Sequence, residues 1–222
     1  VFSSLFGPLI LIAYSKGNHD EVKSIVKRNT LFIGVFSACL AGLIIGFSKE
    51  ITILWLGTEF TNYSMWLVLK VFSIPFFMAG GMFAFVFRSW NKIKISAIFT
   101  ILLGLINVLG LLIIYKFGTK DILTITLSLI FSSLLIIVQT YLFGIWYLKR
   151  IYPEIKYMDF FWITVAIFLT MLIEIIACKT YIFFLLPSIS IMELLKGLFV
   201  GGLTGLIFIF VFIFNKEQKQ YL

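Results

Sequence analysis

Polar side chains set inside long apolar runs are the residues of this chain with the most chemistry to offer. Hydrocarbon cannot satisfy a hydrogen-bonding group, so such residues face another helix or a water-filled path, and their phase around the helix shows which act together. Between Ile95 and Tyr115, Ser96, Thr100, Gly104, Asn107 and Gly110 recur three or four apart and give one polar, small face. Ser128, Ser132 and Gln139 do the same between Ile122 and Tyr147. Two readings stay open. Either both faces line a hydrophilic path, or they are helix contacts held by small residues and interhelical hydrogen bonds, which is the default for such faces. Neither carries a charge, which weakens ion coupling.

Charged and small residues in the other runs complete the set. Glu174 is the only acid well within a run. A carboxylate at the bilayer centre costs about 2.5–3.5 kcal/mol on insertion scales. Its run reads as ending at Cys178, which leaves it free to snorkel to the outer interface. Lys70 and Arg88 bracket another run, Lys70 near its start, and snorkelling is again the default. Gly34, Ala38, Gly42 and Gly46 form a stripe every fourth residue, as do Gly197, Gly201 and Gly205. Such stripes are close-packing faces. Gly7 with Pro8, and Pro75 with Gly80 and Gly81, are points where a helix would break or bend.

A search for catalytic groups finds little. His19 is the only histidine, sits in a basic connection and has no Ser or Cys nucleophile beside it. Cys39 and Cys178 lie in separate apolar runs with no CxxC spacing, so neither a disulfide nor a metal site is expected. No phosphate-cradling glycine loop and no pair of intramembrane carboxylates is present. The chain reads as a carrier rather than an enzyme, with no cofactor.

The elements that must position these residues are apolar runs filling almost the whole chain: Phe2 to Tyr14 (partial), Thr30 to Phe47, Val68 to Phe87, Ile95 to Tyr115, Ile122 to Tyr147, Phe160 to Cys178 and Gly197 to Phe214. A membrane-crossing helix needs about 20 apolar residues. The fold class is therefore all-α, a polytopic membrane helical bundle of about seven transmembrane helices. Composition agrees, with 61% hydrophobic residues and 26 Phe among 222, and a mean hydropathy of +1.10. The net charge of +8 is spread over loops between spans, which suits a membrane surface and argues against nucleic acid. Connections on one side hold twelve Lys and Arg and those on the other five. The positive-inside rule then places the richer side, and the C-terminus, in the cytoplasm. The chain starts at Val1 inside an apolar stretch and reads as a fragment lacking an upstream part.

Loops this short leave no room for a soluble catalytic domain. Ser15 to Asn29 has Val22, Ile25 and Val26 at helical spacing beside Lys23, Lys27 and Arg28, and reads as a short amphipathic helix on the cytoplasmic surface. Ser48 to Leu67 reads as an outer loop, with Trp55 and Trp66 in an aromatic belt and a turn at Trp55-Leu56-Gly57.

Several ordered motifs add a family resemblance. Phe6-Gly7-Pro8 through Ala13-Tyr14-Ser15-Lys16-Gly17-Asn18, followed by the basic segment Glu21 to Arg28, resembles the proline-containing helix and cytoplasmic helix of polysaccharide flippases. These belong to the multidrug/oligosaccharidyl-lipid/polysaccharide exporter superfamily. Ile53 to Phe60 is similar to the outer-loop Trp-Leu-Gly motif of that family, and Asn91-Lys92 with Lys94, leading through Thr100 to Asn107-Val108, is similar to a second motif. Phe214-Asn215-Lys216-Glu217 fits the family's C-terminal end.

The resemblance implies the second lobe of a two-lobe exporter, with residues 1–147 covering the end of helix eight through helix twelve. Residues 148–222 would then add two further transmembrane helices and a cytoplasmic tail. It implies a multi-pass protein of the bacterial cytoplasmic (inner) membrane that flips an undecaprenyl-pyrophosphate-linked oligosaccharide, an O-antigen or similar repeat unit, by alternating access. Its partners would be the lipid-linked oligosaccharide, membrane lipid and the missing N-terminal lobe. In that scheme Asn107, Gln139, Ser132 and Thr100 offer hydrogen bonds in a central cavity, and Arg88 a bidentate contact to pyrophosphate. The rival readings are a cation-coupled multidrug exporter of the same superfamily and a membrane-bound polysaccharide-modifying enzyme.

Overall fold

The structure is a computed structural model that describes residues 2–185 and 190–213, with side chains described for residues 7–184 and 190–211. All of its regular elements are helical. They are α1 (Phe2–Ser15), α2 (His19–Gly46), α3 (Ser48–Leu56), a 3-10 segment (Thr58–Tyr63), α4 (Ser64–Phe72), α5 (Ile74–Ser89) and α6 (Ile93–Phe117). Then come α7 (Ile122–Ile137), a π-turn (Val138–Leu142), α8 (Phe143–Ile151), α9 (Tyr157–Leu185), α10 (Ile191–Phe208) and a second π-turn (Ile209–Ile213). The chain is thus an all-α polytopic membrane bundle, the fold class its apolar runs imply.

Six helical segments among the described residues are long and apolar enough to cross a membrane: His19–Gly46, Thr58–Ser89, Ile93–Phe117, Ile122–Ile151, Tyr157–Phe184 and Ile191–Val211. The first run gives only the 14-residue α1, which is one fewer crossing than the seven runs suggest. Phe214 and the motif that follows it, with the side of the C-terminus, lie outside the described residues.

Several boundaries move outward from the apolar runs, for identifiable reasons. The segment expected as a separate amphipathic helix is the first part of α2, which runs unbroken from His19 to Gly46. Nothing between Asn29 and Thr30 breaks a helix, and both residues are buried. Asn18 caps the start reciprocally, accepting from the Glu21 N–H at 3.1 Å and donating its amide to the Glu21 carboxylate at 3.0 Å. The expected outer loop is mostly helical, because Ser48–Leu56 and Thr58–Tyr63 both fold into helix around a real turn at Gly57, whose φ of 104° suits glycine. Trp55 is 79% exposed there. The third run breaks at Ser73, just before Pro75, as the proline leads one to expect. Pro8, by contrast, sits inside a continuous α1.

By internal contacts the chain falls into two units, Val1–Gly34 with Phe76–Ile163 and Val35–Pro75 with Thr164–Leu222. The first is built on aromatic packing. Phe83 meets Phe160 edge to face with centroids 5.5 Å apart, and Phe76 meets Tyr141 at 5.6 Å. Glycines set how closely its helices approach. A Cβ on Gly80 would overlap the carbonyl of Thr140, and one on Gly144 would overlap the Phe83 ring. Near the start of α2, Lys23 pairs with Asp20 at 2.8 Å and with Glu154, and Lys27 with Asp159 at 3.0 Å. These tie α2 to the α8–α9 connection and its neighbour; exposed pairs of this kind contribute about 0–1 kcal/mol each.

The second unit is built on the two glycine stripes. Gly42 and Gly46 of α2 lie against α9, where a Cβ would stand 2.5 Å from the Cβ of Glu174 and of Cys178 respectively. Gly197 and Gly201 of α10 meet Phe47 and Leu43 at the same 2.5 Å. Gly205 faces Glu174 so closely that a Cβ would overlap the carboxyl. Gly202, one position away from Gly201, has its nearest such neighbour, Leu43, at 3.9 Å.

The contrast between Gly205 and Gly202 gives a direct check. Gly205→Leu should lower the thermal unfolding midpoint of the purified protein in detergent, with a cost of about 1–3 kcal/mol as for other overpacked sites. Gly202→Ala, in the same helix, should leave the midpoint within error of wild type.

Candidate functional site

The polar faces expected from the sequence meet along α6 and α7. These helices run antiparallel, joined by the short link Gly118 to Asp121, and the link is itself well defined. Asp121 caps α7 by accepting from the Thr124 N–H at 3.2 Å. Hydrogen bonds from the Thr119 hydroxyl and the Thr124 backbone hold the exposed Asp121 carboxyl below its usual range. Within the pair, the Ser132 hydroxyl donates to the Asn107 side-chain oxygen at 3.0 Å. Ser132 is buried and Asn107 half-buried. Seven residues further along each helix, away from the link, stand Thr100 and Gln139, so the antiparallel register sets these two at a common level.

The groups are not equally available. Ser128, Thr126 and Thr140 each donate to the carbonyl four residues earlier, at 2.8, 2.8 and 2.7 Å. Those hydroxyls are thereby satisfied inside their own helix. Asn107 and Ser132 are joined to each other. Gln139 lies half-buried in the π-turn and its side chain makes no hydrogen bond among the described residues, and Thr100 is exposed on α6. Gly104 has open space where a Cβ would stand, whereas Gly110 is closed by the Phe131 ring. π-Turns of this kind interrupt α-helices at functional positions more often than elsewhere. Arg88 stands apart, exposed in the last turn of α5 with its guanidinium 5.5 Å from the Phe85 ring centroid. Thus Asn107 and Ser132 are in contact and Thr100 and Gln139 share a level, while no hydrogen bond among the described residues joins Arg88 to any of the four.

Glu174 is where the structure departs most from the sequence reading. The helix does not end near Cys178; it runs to Leu185, so Glu174 is eleven residues, about 16 Å, from that end. The side chain is 0% exposed and does not snorkel. The Cys39 thiol of α2 donates to its Oε1 at 3.0 Å, while Oε2 is buried without a hydrogen-bond partner among the described residues. Gly42 on one side and Gly201 and Gly205 on the other complete the enclosure. Held this way, the carboxyl is a polar pin between three helices of the second unit. The signal was available in sequence, since two glycine rows make room for something large and Glu174 is the one large polar residue in the runs nearby. Cys39 and Cys178 are both buried, free thiols. His19, which the sequence sets in a basic connection, is exposed but opens α2 beside the rings of Tyr14, Trp90 and Tyr152, at 5.8–6.5 Å.

A bundle of six span-length apolar helices with uncharged polar groups between neighbouring spans defines a multi-pass membrane protein. Among curated proteins the chain is similar to the uncharacterized membrane protein EpsK of Bacillus subtilis (strain 168), with 27% identity over 106 residues. That match takes in 48% of this chain and 21% of the relative, so the chain matches only about a fifth of that protein's length. No protein-family model matches the chain, and no solved structure matches it.

The Asn107–Ser132 contact is measurable as an energy. A double-mutant cycle with Asn107→Ala and Ser132→Ala should return a coupling of about 0.6 kcal/mol, and no more than about 1.7, as for other interhelical hydrogen bonds in membranes. Thr100→Ala combined with Ser132→Ala should be additive.

Proposed function

We propose that this chain moves an undecaprenyl-pyrophosphate-linked oligosaccharide from the inner to the outer leaflet of a bacterial cytoplasmic membrane by alternating access. The observation that carries this reading is the pair of levels on α6 and α7, Asn107 with Ser132 and Thr100 with Gln139. Uncharged hydrogen-bonding groups stacked along otherwise apolar spans suit sugar hydroxyls, which cannot cross hydrocarbon without polar partners. A polyprenyl tail has no such need and can remain in lipid. The ordered motifs shared with polysaccharide flippases and the similarity to a membrane protein point the same way. Arg88, exposed at a helix end, supplies a planar guanidinium suited to pyrophosphate. The reading takes the N-terminal lobe of a two-lobe carrier as this chain's partner.

The buried acid favours one second reading, a cation-coupled multidrug exporter, because such a carrier needs a titratable group inside the membrane. The glycine enclosure of Glu174 counts against it.

A deletion strain of the source organism separates the two. The flippase reading expects loss of surface polymer, with the lipid-linked repeat unit trapped on the cytoplasmic leaflet and restored by the intact gene. Intact polymer with new sensitivity to cationic drugs would instead establish the exporter. In the same strain, Asn107→Leu should lower export while membrane abundance stays normal; unchanged export would reassign the α6–α7 face to packing.

A further inference from the structure

Between α6 and α8 of the first unit lies a groove of about 590 Å³. That is within the size of pockets that hold a single small ligand. Its walls are apolar throughout, with Ile95, Ile98 and Phe99 on α6 facing Leu142, Phe143 and Trp146 across from them. Phe99 and Phe143 stack face to face, centroids 3.8 Å apart and planes 11° apart, joining the two walls. Leu142 closes the π-turn that leads into α8.

One end of the groove is basic. Lys94 on α6 precedes Ile98 by four residues, and Lys92, which caps the start of α6, precedes Ile95 by three, so both lie about one turn beyond the wall. On α8, Arg150 follows Trp146 by four residues, and its guanidinium carbon stands 5.9 Å from the Trp146 ring centroid. The two helix ends are pinned together at this point, because the Tyr147 hydroxyl donates to the Lys92 carbonyl at 3.1 Å. Elsewhere in this unit the cations of Lys23 and Lys27 are neutralised by Asp20, Glu154 and Asp159. Lys92, Lys94 and Arg150 form no ion pair among the described residues, and all three are exposed.

An apolar groove beside cations that form no ion pair among the described residues is complementary to an amphiphile with a negative head. We infer that this groove is a seat for one anionic phospholipid, with an acyl chain along the walls and the phosphate against Lys94, Lys92 and Arg150. The bilayer's own phospholipid is the occupant because it surrounds the groove at the highest concentration of any amphiphile, and occupancy follows concentration over dissociation constant. The seat does not depend on what the protein transports.

The test uses the full chain reconstituted in vesicles of equal parts phosphatidylglycerol and phosphatidylcholine, extracted gently and weighed intact by native mass spectrometry. Wild type should retain one phosphatidylglycerol in preference to phosphatidylcholine. Lys94→Gln with Arg150→Gln should cut that preference about tenfold or more, since each basic residue at a membrane surface contributes about fivefold. Leu142→Trp, which fills the groove and leaves the cations in place, should reduce retention of both lipids. Lys116→Gln with Lys120→Gln, at the opposite end of α6, should change nothing. Equal retention of the two lipids by wild type would overturn the inference, as would a preference that survives the Lys94 and Arg150 substitutions. Displacement of phosphatidylglycerol by a trace of polyprenyl phosphate would also overturn it and give the seat to that lipid.

Discussion

Most of this chain answers to one constraint: inside hydrocarbon a polar group must find its partner within the protein. The backbone meets it by folding into helices almost without interruption. Most hydroxyls meet it locally, as Thr126, Ser128, Thr140 and Thr170 do by returning a hydrogen bond to the preceding turn. Only a few side chains are left to meet it across helices, and these are the ones that organise the bundle. Ser132 reaches Asn107 in the first unit, and Cys39 reaches Glu174 in the second.

Small residues are what make the cross-helix partners reachable. Lipid offers no hydrophobic drive for one apolar helix to leave it for another, so close approach must come from van der Waals contact and the occasional hydrogen bond. Gly42, Gly201 and Gly205 bring three helices close enough that a buried carboxyl fills the space between them. In the first unit the same task falls to Gly80 and Gly144, whose neighbours are a backbone carbonyl and a phenyl ring. The two units therefore use one device with different fillings, a polar one around Glu174 and an aromatic one around Phe83, Tyr141 and Phe160. Helix α6 shows the other extreme, with Leu103 its one buried side chain and only single contacts such as Asn107 to Ser132 and Phe99 to Phe143 along its length.

The class of the fold was legible because membrane spans are set by length and apolarity, which are additive properties of a segment. Boundaries were less so. Apolar runs mark where lipid must be, not where the helix stops, so α2 and α9 extend well past Thr30 and Cys178 into stretches that are polar or mixed. That single difference changed the account of Glu174 from an interfacial residue to a buried one. The polar periodicity of α6 and α7 marked a face on each helix; that Asn107 meets Ser132 follows from the antiparallel register, which the period alone does not carry. Arg88 was legible as the end of a run, and it does stand in the last turn of α5, but the Phe85 ring beside it has no period to announce it. The π-turn left no mark at all, for no proline or glycine lies between Val138 and Leu142.

That turn makes the chain sensitive to counting rather than to chemistry. A π-turn holds one residue more than the α-helical turn it replaces, and each residue in a helix carries about 100° of rotation. Phe143, Tyr147 and Arg150 owe their directions to that surplus residue as much as to their own identities. A relative one residue shorter between Val138 and Leu142 could keep every side chain of α8 and still present a different surface. Aligning such relatives by residue type alone would pair positions that look the same and face apart.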